Sequence, residues 1–193
     1  MNPAQVLKLA ISKLEGLGIP YMIVGSFASS AYGLVRSTQD ADLIIDPRPE
    51  QAIPLVEAFT GEFYVDAGLV EEAIRRRLSF NVIHLQTFFK IDLFVLPDAA
   101  FARQEFARRR RWPVSALEGG EVWIATPEDI LLSKLRWYRD GGEVSELQWR
   151  DVIAILKSQG RRLDLPYLQA WAAEVGISDL LQQAMQEAGI AGD

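Results

Sequence analysis

Apolar and polar residues recur along the first two thirds of the chain at intervals that predict helices alternating with short strands. Apolar side chains from residue 3 to residue 17 recur at the helical interval, and Gly16, Gly18 and Pro20 end that segment. Runs typical of buried strands follow at residues 21–24, 41–45, 63–65, 78–85, 89–95, 112–117 and 121–124. Helical segments are predicted at about residues 25–32, 50–59, 69–76 and 98–110. This order of elements predicts an α/β (α+β) fold with a mixed sheet.

The pattern changes after Ala125. The sequence from Thr126 to Asp129 predicts a helix start, with a capping hydroxyl, a proline at the first helical position and acids in the first turn. The residues from Ile130 to Ala188 predict three or four helices, separated at residues 141–142, 160–166 and 176. We therefore predict a core at residues 1–125 and a C-terminal helical region at residues 126–193 that packs on the core.

Composition narrows the class of protein. The chain has 193 residues, 49% of them hydrophobic, which suffices for one domain, or one domain plus a small helical appendage. It has no cysteine, which excludes disulfides and thiolate chemistry and agrees with a reducing cytoplasm. The N-terminal segment lacks the pattern of a secretory signal, and no apolar run reaches the length of a membrane span. We expect a cytoplasmic protein that does not bind membranes.

The charge is unevenly distributed. A formal net charge of −6 disfavours a general nucleic-acid binder. Basic residues nevertheless cluster at residues 75–77, at residues 103 and 108–111, and at residues 161–162. Two interpretations stay open: solvated helix ends, or a local patch that guides a phosphate-bearing substrate.

The strand that begins near residue 40 contains a pair of carboxylates. Asp40 and Asp42 are two residues apart, so on a strand both side chains point to one face, while Leu43 and Ile45 point to the other. Two such charges about 5 Å apart repel by roughly 3 kcal/mol at an effective dielectric near 20. A raised pKa or a cation would relieve that repulsion, and a hard divalent ion with oxygen ligands, Mg2+ or Mn2+, is the simplest choice. The alternative is a solvated strand end with two exposed acids.

A third carboxylate lies on a later apolar strand. Asp92 shares one face of the predicted strand with Lys90 and Phe94. A carboxylate in an apolar strand is costly to bury unless it is paired or binds a ligand. His84, the single histidine, is expected to be structural.

A phosphate-binding turn is predicted after the first strand. Gly25 would let a phosphate approach the backbone closely. The helix that opens at Ser26 presents unpaired N–H groups and a positive dipole end, and the Ser26 hydroxyl adds a donor. Ser26 as an ordinary helix cap is the alternative.

The combination of strand, Gly25-Ser26, helix, Asp40-x-Asp42 and a later Asp92 resembles the nucleotidyltransferase superfamily, which has the DNA-polymerase-beta-like fold. Arg36-Ser37-Thr38 is similar to the Arg-x-Thr that often precedes the acid pair of that family. The resemblance implies metal-dependent transfer of a nucleoside monophosphate from an NTP to a hydroxyl acceptor, with release of pyrophosphate. It implies that Asp40, Asp42 and Asp92 are catalytic and bind two Mg2+ (or Mn2+) ions: Asp40 and Asp42 hold one, and Asp92 completes the second site and helps to activate the acceptor hydroxyl. The acceptor is left open between tRNA, a protein side chain and a small molecule.

The C-terminal region is similar to the helical segment of AbiEii-type toxins and related minimal nucleotidyltransferases. Lys134 and the Arg150-Asp151 pair match the lysine and the Arg-Asp pair of those proteins. The resemblance implies that Lys134 and Arg150 bind the nucleotide together with Gly25 and Ser26. It also implies a toxin–antitoxin component with an antitoxin partner protein. The alternative is that Lys134 and Arg150 are surface charges of helices.

Two other functions remain open at this stage. One is a nucleotide-binding regulatory or partner-binding module with the same fold and little catalysis. The other is a metal-dependent phosphohydrolase that uses the same acids, which the Gly-Ser turn before those acids disfavours.

Overall fold

The computed structural model describes residues 1–33, 40–113 and 120–190. The predicted Arg36-Ser37-Thr38 motif and residues 114–117 of the strand predicted at residues 112–117 lie outside the described residues. In chain order, the helices and strands of the described residues are α1 (Pro3–Gly16), β1 (Tyr21–Val24), α2 (Gly25–Tyr32), β2 (Asp40–Ile45), α3 (Ala52–Phe59), β3 (Phe63–Tyr64), α4 (Ala67–Arg76), β4 (Ser79–His84), β5 (Lys90–Val95), α5 (Ala100–Arg108), β6 (Arg110–Pro113), β7 (Glu121–Ile124), α6 (Pro127–Asp140), α7 (Glu146–Gln159), α8 (Leu165–Glu174) and α9 (Ser178–Ala188). Short 3-10 turns at Pro49–Gln51 and Gly160–Arg162 precede α3 and follow α7.

The strands form one mixed seven-stranded sheet in the order β3-β4-β5-β2-β1-β7-β6. Strand β2 runs parallel to β5, and β1 runs parallel to β7, while the other neighbours are antiparallel. The predicted α/β class with a mixed sheet is confirmed.

The main departure from the predicted elements is at β6, which begins at Arg110, inside the segment predicted as helix up to residue 110. Arg111 pairs across the ladder with Trp123 and places its guanidinium 4.6 Å from the centre of the indole ring. That cross-strand contact favours the extended conformation over another helical turn.

The chain divides into two compact units. The first consists of Met1–Val24 and Thr38–Ile124, and it contains the entire sheet. The second consists of Gly25–Ser37 and Ala125–Asp193, so α2 groups with α6 to α9. The predicted division into residues 1–125 and residues 126–193 stays a prediction. The packing of the C-terminal region on the core stays a prediction.

One face of the sheet in the first unit is apolar and buried. Its residues on the central strands are Ala41, Leu43, Ile45, Phe80, Val82, Ile91, Leu93 and Val95. His84 lies on this face at 2% exposure, its Nδ1 is 2.8 Å from the Thr87 hydroxyl, and its ring packs edge-on against Phe63. His84 is therefore a buried structural residue, as its sequence context predicts.

In the second unit, helix α2 is fastened to the C-terminal helices. The Tyr32 hydroxyl donates a hydrogen bond to the Ala125 carbonyl (3.0 Å), and the Gln159 side chain donates to the Tyr32 carbonyl (3.0 Å). A Cβ atom at Gly33 would lie 3.2 Å from the Ile155 side chain, so the backbones approach closely there. These contacts explain why α2 groups with residues far away in sequence.

Helix α6 begins where the sequence predicts. Thr126 is its N-cap and accepts a hydrogen bond from the Asp129 backbone N–H at 3.3 Å. The Thr126 hydroxyl donates to the Asp129 carboxylate at 2.6 Å, and the Tyr167 hydroxyl donates to the other oxygen of Asp129. This buried cap joins the start of α6 to α8.

Tyr21 of β1 predicts a stability change at alkaline pH. The side chain is 2% exposed, and its hydroxyl donates to the Glu15 carboxylate at 3.1 Å. Burial, followed by the charge of Glu15, raises the pKa of Tyr21 from 10.0 to about 12. The folded state therefore binds the phenolic proton more tightly than the unfolded state, so this stabilisation is complete below pH 10 and is lost as the pH rises to about 12.

We expect the urea midpoint to fall more steeply between pH 10 and pH 12 for the wild type than for Tyr21→Phe. Tyr64→Phe, at a tyrosine that is 57% exposed, is the control and should follow the wild type. Equal slopes for the wild type and Tyr21→Phe would contradict the assignment.

Among the described residues, every helix is too short or too polar to cross a membrane.

Candidate active site

The three predicted acids of the first unit lie on one face of its sheet. In the parallel ladder between β2 and β5, Asp42 aligns with Asp92 and Asp40 aligns with Lys90. Neighbouring strands are about 4.8 Å apart, and side chains at aligned positions project to the same face. Two adjacent strands thus bring together three carboxylates and one ammonium group.

The apolar face fixes this alignment. Leu43 aligns with Leu93 and Ile45 aligns with Val95, and all four side chains are buried on the opposite face. A slip of one residue would turn that apolar set toward the acid face, so the register is strongly specified. The core therefore holds Asp42 opposite Asp92.

Strands β4 and β1 flank the aligned pair Asp42 and Asp92 on its two sides. Asn81 of β4 aligns with Asp92 and is exposed, whereas Val24 of β1 aligns with Asp42 and is buried. Asp40, Asp42 and Asp92 are half-buried. The acid pair is thus bordered by an exposed polar residue, Asn81, on β4 and by a buried apolar residue, Val24, on β1.

Lys90 forms an ion pair inside the acid cluster. Its Nζ lies 2.7 Å from Oδ2 of Asp92, and the two side chains are 42% and 21% exposed. The hydrogen bond with Asp92 raises the pKa of Lys90, partial burial opposes this, and the charges of Asp92, Asp40 and Asp42 add to the rise. Lys90 was predicted to share a strand face with Asp92 but not to have a role, although the spacing of two residues on one strand was a usable signal.

The donor atoms fit a hard divalent cation at Asp40 and Asp42. Carboxylate oxygens on one strand face are the ligands that Mg2+ and Mn2+ prefer. One carboxylate oxygen of Asp92 lies 2.7 Å from the Lys90 ammonium group. Among the described residues, no three His, Cys, Asp or Glu side chains form a group that can hold a metal ion. The residues present fit an ion on the Asp40–Asp42 side of the cluster, and Lys90 competes with an ion for Asp92.

In the second unit, α2 begins at the predicted glycine. Gly25 is buried and has φ of 61°, a conformation that favours glycine. Ser26 is half-buried, and its carbonyl accepts hydrogen bonds from the Ser29 and Ser30 hydroxyls at 3.1 and 2.9 Å. The backbone conformation at Gly25 thus agrees with a turn that needs glycine, and phosphate binding there stays a prediction.

Lys134 and Arg150 of the second unit differ in exposure. Lys134 is 2% exposed, and its Nζ lies 2.8 Å from Oδ2 of Asp151 and 3.0 Å from the Gln148 side-chain oxygen. Arg150 is exposed and lines a cavity of about 500 Å³ with Lys157 and Glu187. Arg150 is therefore accessible to a nucleotide, whereas Lys134 would have to leave Asp151 to reach one.

The arginine clusters contact neighbouring residues of the chain. Arg75 and Arg76 pair with Glu72, Arg103 pairs with Asp98, Arg77 lies 3.5 Å from Asp46, and Arg162 donates to the Ser158 carbonyl. At residues 75–77, 103 and 162 these contacts favour solvated helix ends over a phosphate-guiding patch. Arg109 and Arg111 instead lie over the aromatic rings of Phe106 and Trp123.

Comparison with protein-family models finds no match, and comparison with curated proteins finds none either.

Solved structures with the same fold do exist. The solution structure of the antibiotic-resistance factor ANT(2'')-Ia matches with a TM-score of 0.56 and 17% identity, over 96% of this chain and 100% of that one. The crystal structure of an antigenic nucleotidyltransferase-like protein from Paracoccidioides brasiliensis matches with a TM-score of 0.55 and 20% identity, over 95% of this chain and 91% of that one. At these identities the likeness is one of fold.

Proposed function

We propose that this protein is a metal-dependent nucleotidyltransferase that moves a nucleoside monophosphate from an NTP to a hydroxyl acceptor and releases pyrophosphate. The observation that supports this most is the β2–β5 register, which aligns Asp42 with Asp92 and places Asp40 on the same face. The nucleotidyltransferase-like fold of the two solved structures supports the same activity.

In the proposed reaction the three acids have different roles. Asp40 and Asp42 would hold Mg2+ (or Mn2+), which when bound offsets the charge of the triphosphate and of the leaving pyrophosphate. Asp92 would accept a hydrogen bond from the acceptor hydroxyl and take its proton as the oxygen attacks the α-phosphorus. A bond forms between the acceptor oxygen and the α-phosphorus, and the bond from the α-phosphorus to the β-phosphate oxygen breaks.

The nucleotide-binding residues that we propose are Gly25, Ser26 and Arg150. Backbone N–H groups after Gly25 and the Ser26 hydroxyl would donate to phosphate oxygens, because a helix start attracts anions. Arg150 would supply an exposed cation. Lys134, paired with Asp151, would hold α6 against α7 in the nucleotide-free protein.

A small hydroxylated molecule is the acceptor class we propose to test first. A net charge of −6 disfavours a large RNA acceptor, and one protein with this fold is an antibiotic-resistance factor. A toxin–antitoxin role remains a narrower proposal, for which an antitoxin that co-purifies with the chain and blocks transfer would be the support.

The activity can be tested by incubating the protein with each α-labelled NTP, Mg2+ and a panel of hydroxylated small molecules, tRNA and proteins. We expect pyrophosphate release and label on one acceptor. Release of inorganic phosphate in place of pyrophosphate would contradict transfer and support a phosphohydrolase.

A second candidate is a nucleotide-binding module with little catalysis. The Lys90–Asp92 ion pair favours it, because it engages the carboxylate that would accept the proton. Tight NTP binding without pyrophosphate release from any acceptor would favour this second function.

A further inference from the structure

We propose that Lys90 takes the place of a second divalent cation, so that the acid cluster binds one metal ion at Asp40 and Asp42 while Lys90 neutralises Asp92. This inference rests on the proposed function and extends it to the number of metal ions that the site uses.

The alternation of side chains along β5 determines the face on which Lys90 lies. Lys90 and Asp92 are two residues apart on β5, so their side chains share the acid face. Their charged atoms are 2.7 Å apart, which is direct ion-pair contact. Asp40 is the residue aligned with Lys90 on the neighbouring strand, so the ammonium group extends from a position flanked by carboxylates of both strands.

Lys90 and a second divalent ion would compete for Asp92. The ammonium group already supplies a positive charge to that carboxylate, so the pair needs no metal ion of its own. A second divalent ion at Asp92 would have to displace Lys90 and would then lie close to a like charge.

The number of bound ions can be measured with Mn2+ alone, by electron paramagnetic resonance and equilibrium dialysis. We expect about one Mn2+ per chain for the wild type and about two for Lys90→Met. Lys90→Arg retains the positive charge and should bind one. Lys8→Met, at an exposed lysine of α1, is the matched control and should also bind one.

A double variant locates the second ion. Adding Asp92→Asn to Lys90→Met removes the carboxylate that the second ion would use, so the count should return to one. Thermal melts of each variant establish that the fold is retained, and Lys90→Gln, with the same expected count of two, replaces Lys90→Met if the latter fails to fold.

Two bound ions in the wild type, or one ion in folded Lys90→Met, would overturn the inference while leaving the proposed transfer intact. No Mn2+ bound by the wild type, together with no pyrophosphate release, would instead contradict the proposed function itself.

Discussion

Asp42→Asn is expected to lower the rate of nucleotidyl transfer by about 1,000-fold, the size of effect seen when a main electrostatic contact to the reacting group is lost. The amide has the shape of the carboxylate but no charge, so it binds a divalent cation far more weakly. Urea unfolding of Asp42→Asn, followed by circular dichroism, establishes that a loss of activity is not a loss of the fold.

The control for this variant is Asp98→Asn, at an exposed carboxylate of the same unit that pairs with Arg103. It removes the same charge and should leave pyrophosphate release within a factor of two or so of wild type. An Asp42→Asn protein that folds and retains more than about a tenth of the activity would rule out a catalytic role for Asp42.

Lys134→Met is expected to destabilise the protein by about 3–5 kcal/mol, because it leaves the Asp151 carboxylate buried without its cation. The two side chains are 2% and 9% exposed, and their charged atoms lie 2.8 Å apart. Urea unfolding followed by circular dichroism measures the loss. The matched control is Lys157→Met, at an exposed lysine of the same unit, which should change stability by about 0.5 kcal/mol or less.

The double variant Lys134→Met with Asp151→Leu separates the ion pair from simple packing. Removing both charges should cost less than removing Lys134 alone, because no buried charge is left unpaired. A Lys134→Met variant as stable as Lys157→Met would show that the ion pair is not structural, and Lys134 would then be available for the nucleotide.

The local sequence pattern identified the three acids of the site, but it did not show that Asp92 lies beside Asp42. Asp40 and Asp42 share a face because strand side chains alternate, which is a local rule. That Asp92 lies beside Asp42 depends on β2 pairing with β5 in parallel, across a separation of about 50 residues. No local pattern specifies such pairing, and the family resemblance supplied that expectation.

Other features depend on tertiary context and could not be predicted from local pattern. The grouping of α2 with the C-terminal helices depends on Tyr32 and Gly33 contacts with residues more than 90 positions away. The burial of Lys134 depends on Asp151 of another helix. The start of helix α6 could be predicted from the sequence, because Thr126 and Pro127 act within one helical turn.

The central proposal is that Asp40 and Asp42 hold a divalent cation on the sheet face that they share with Asp92. A crystal structure with Mn2+ and a non-hydrolysable NTP, analysed by anomalous scattering, tests it most directly. We predict a manganese peak about 2.2 Å from a carboxylate oxygen of both Asp40 and Asp42, with the α-phosphate facing Asp92. A nucleotide bound elsewhere, or a manganese peak that neither Asp40 nor Asp42 contacts, would contradict the proposal.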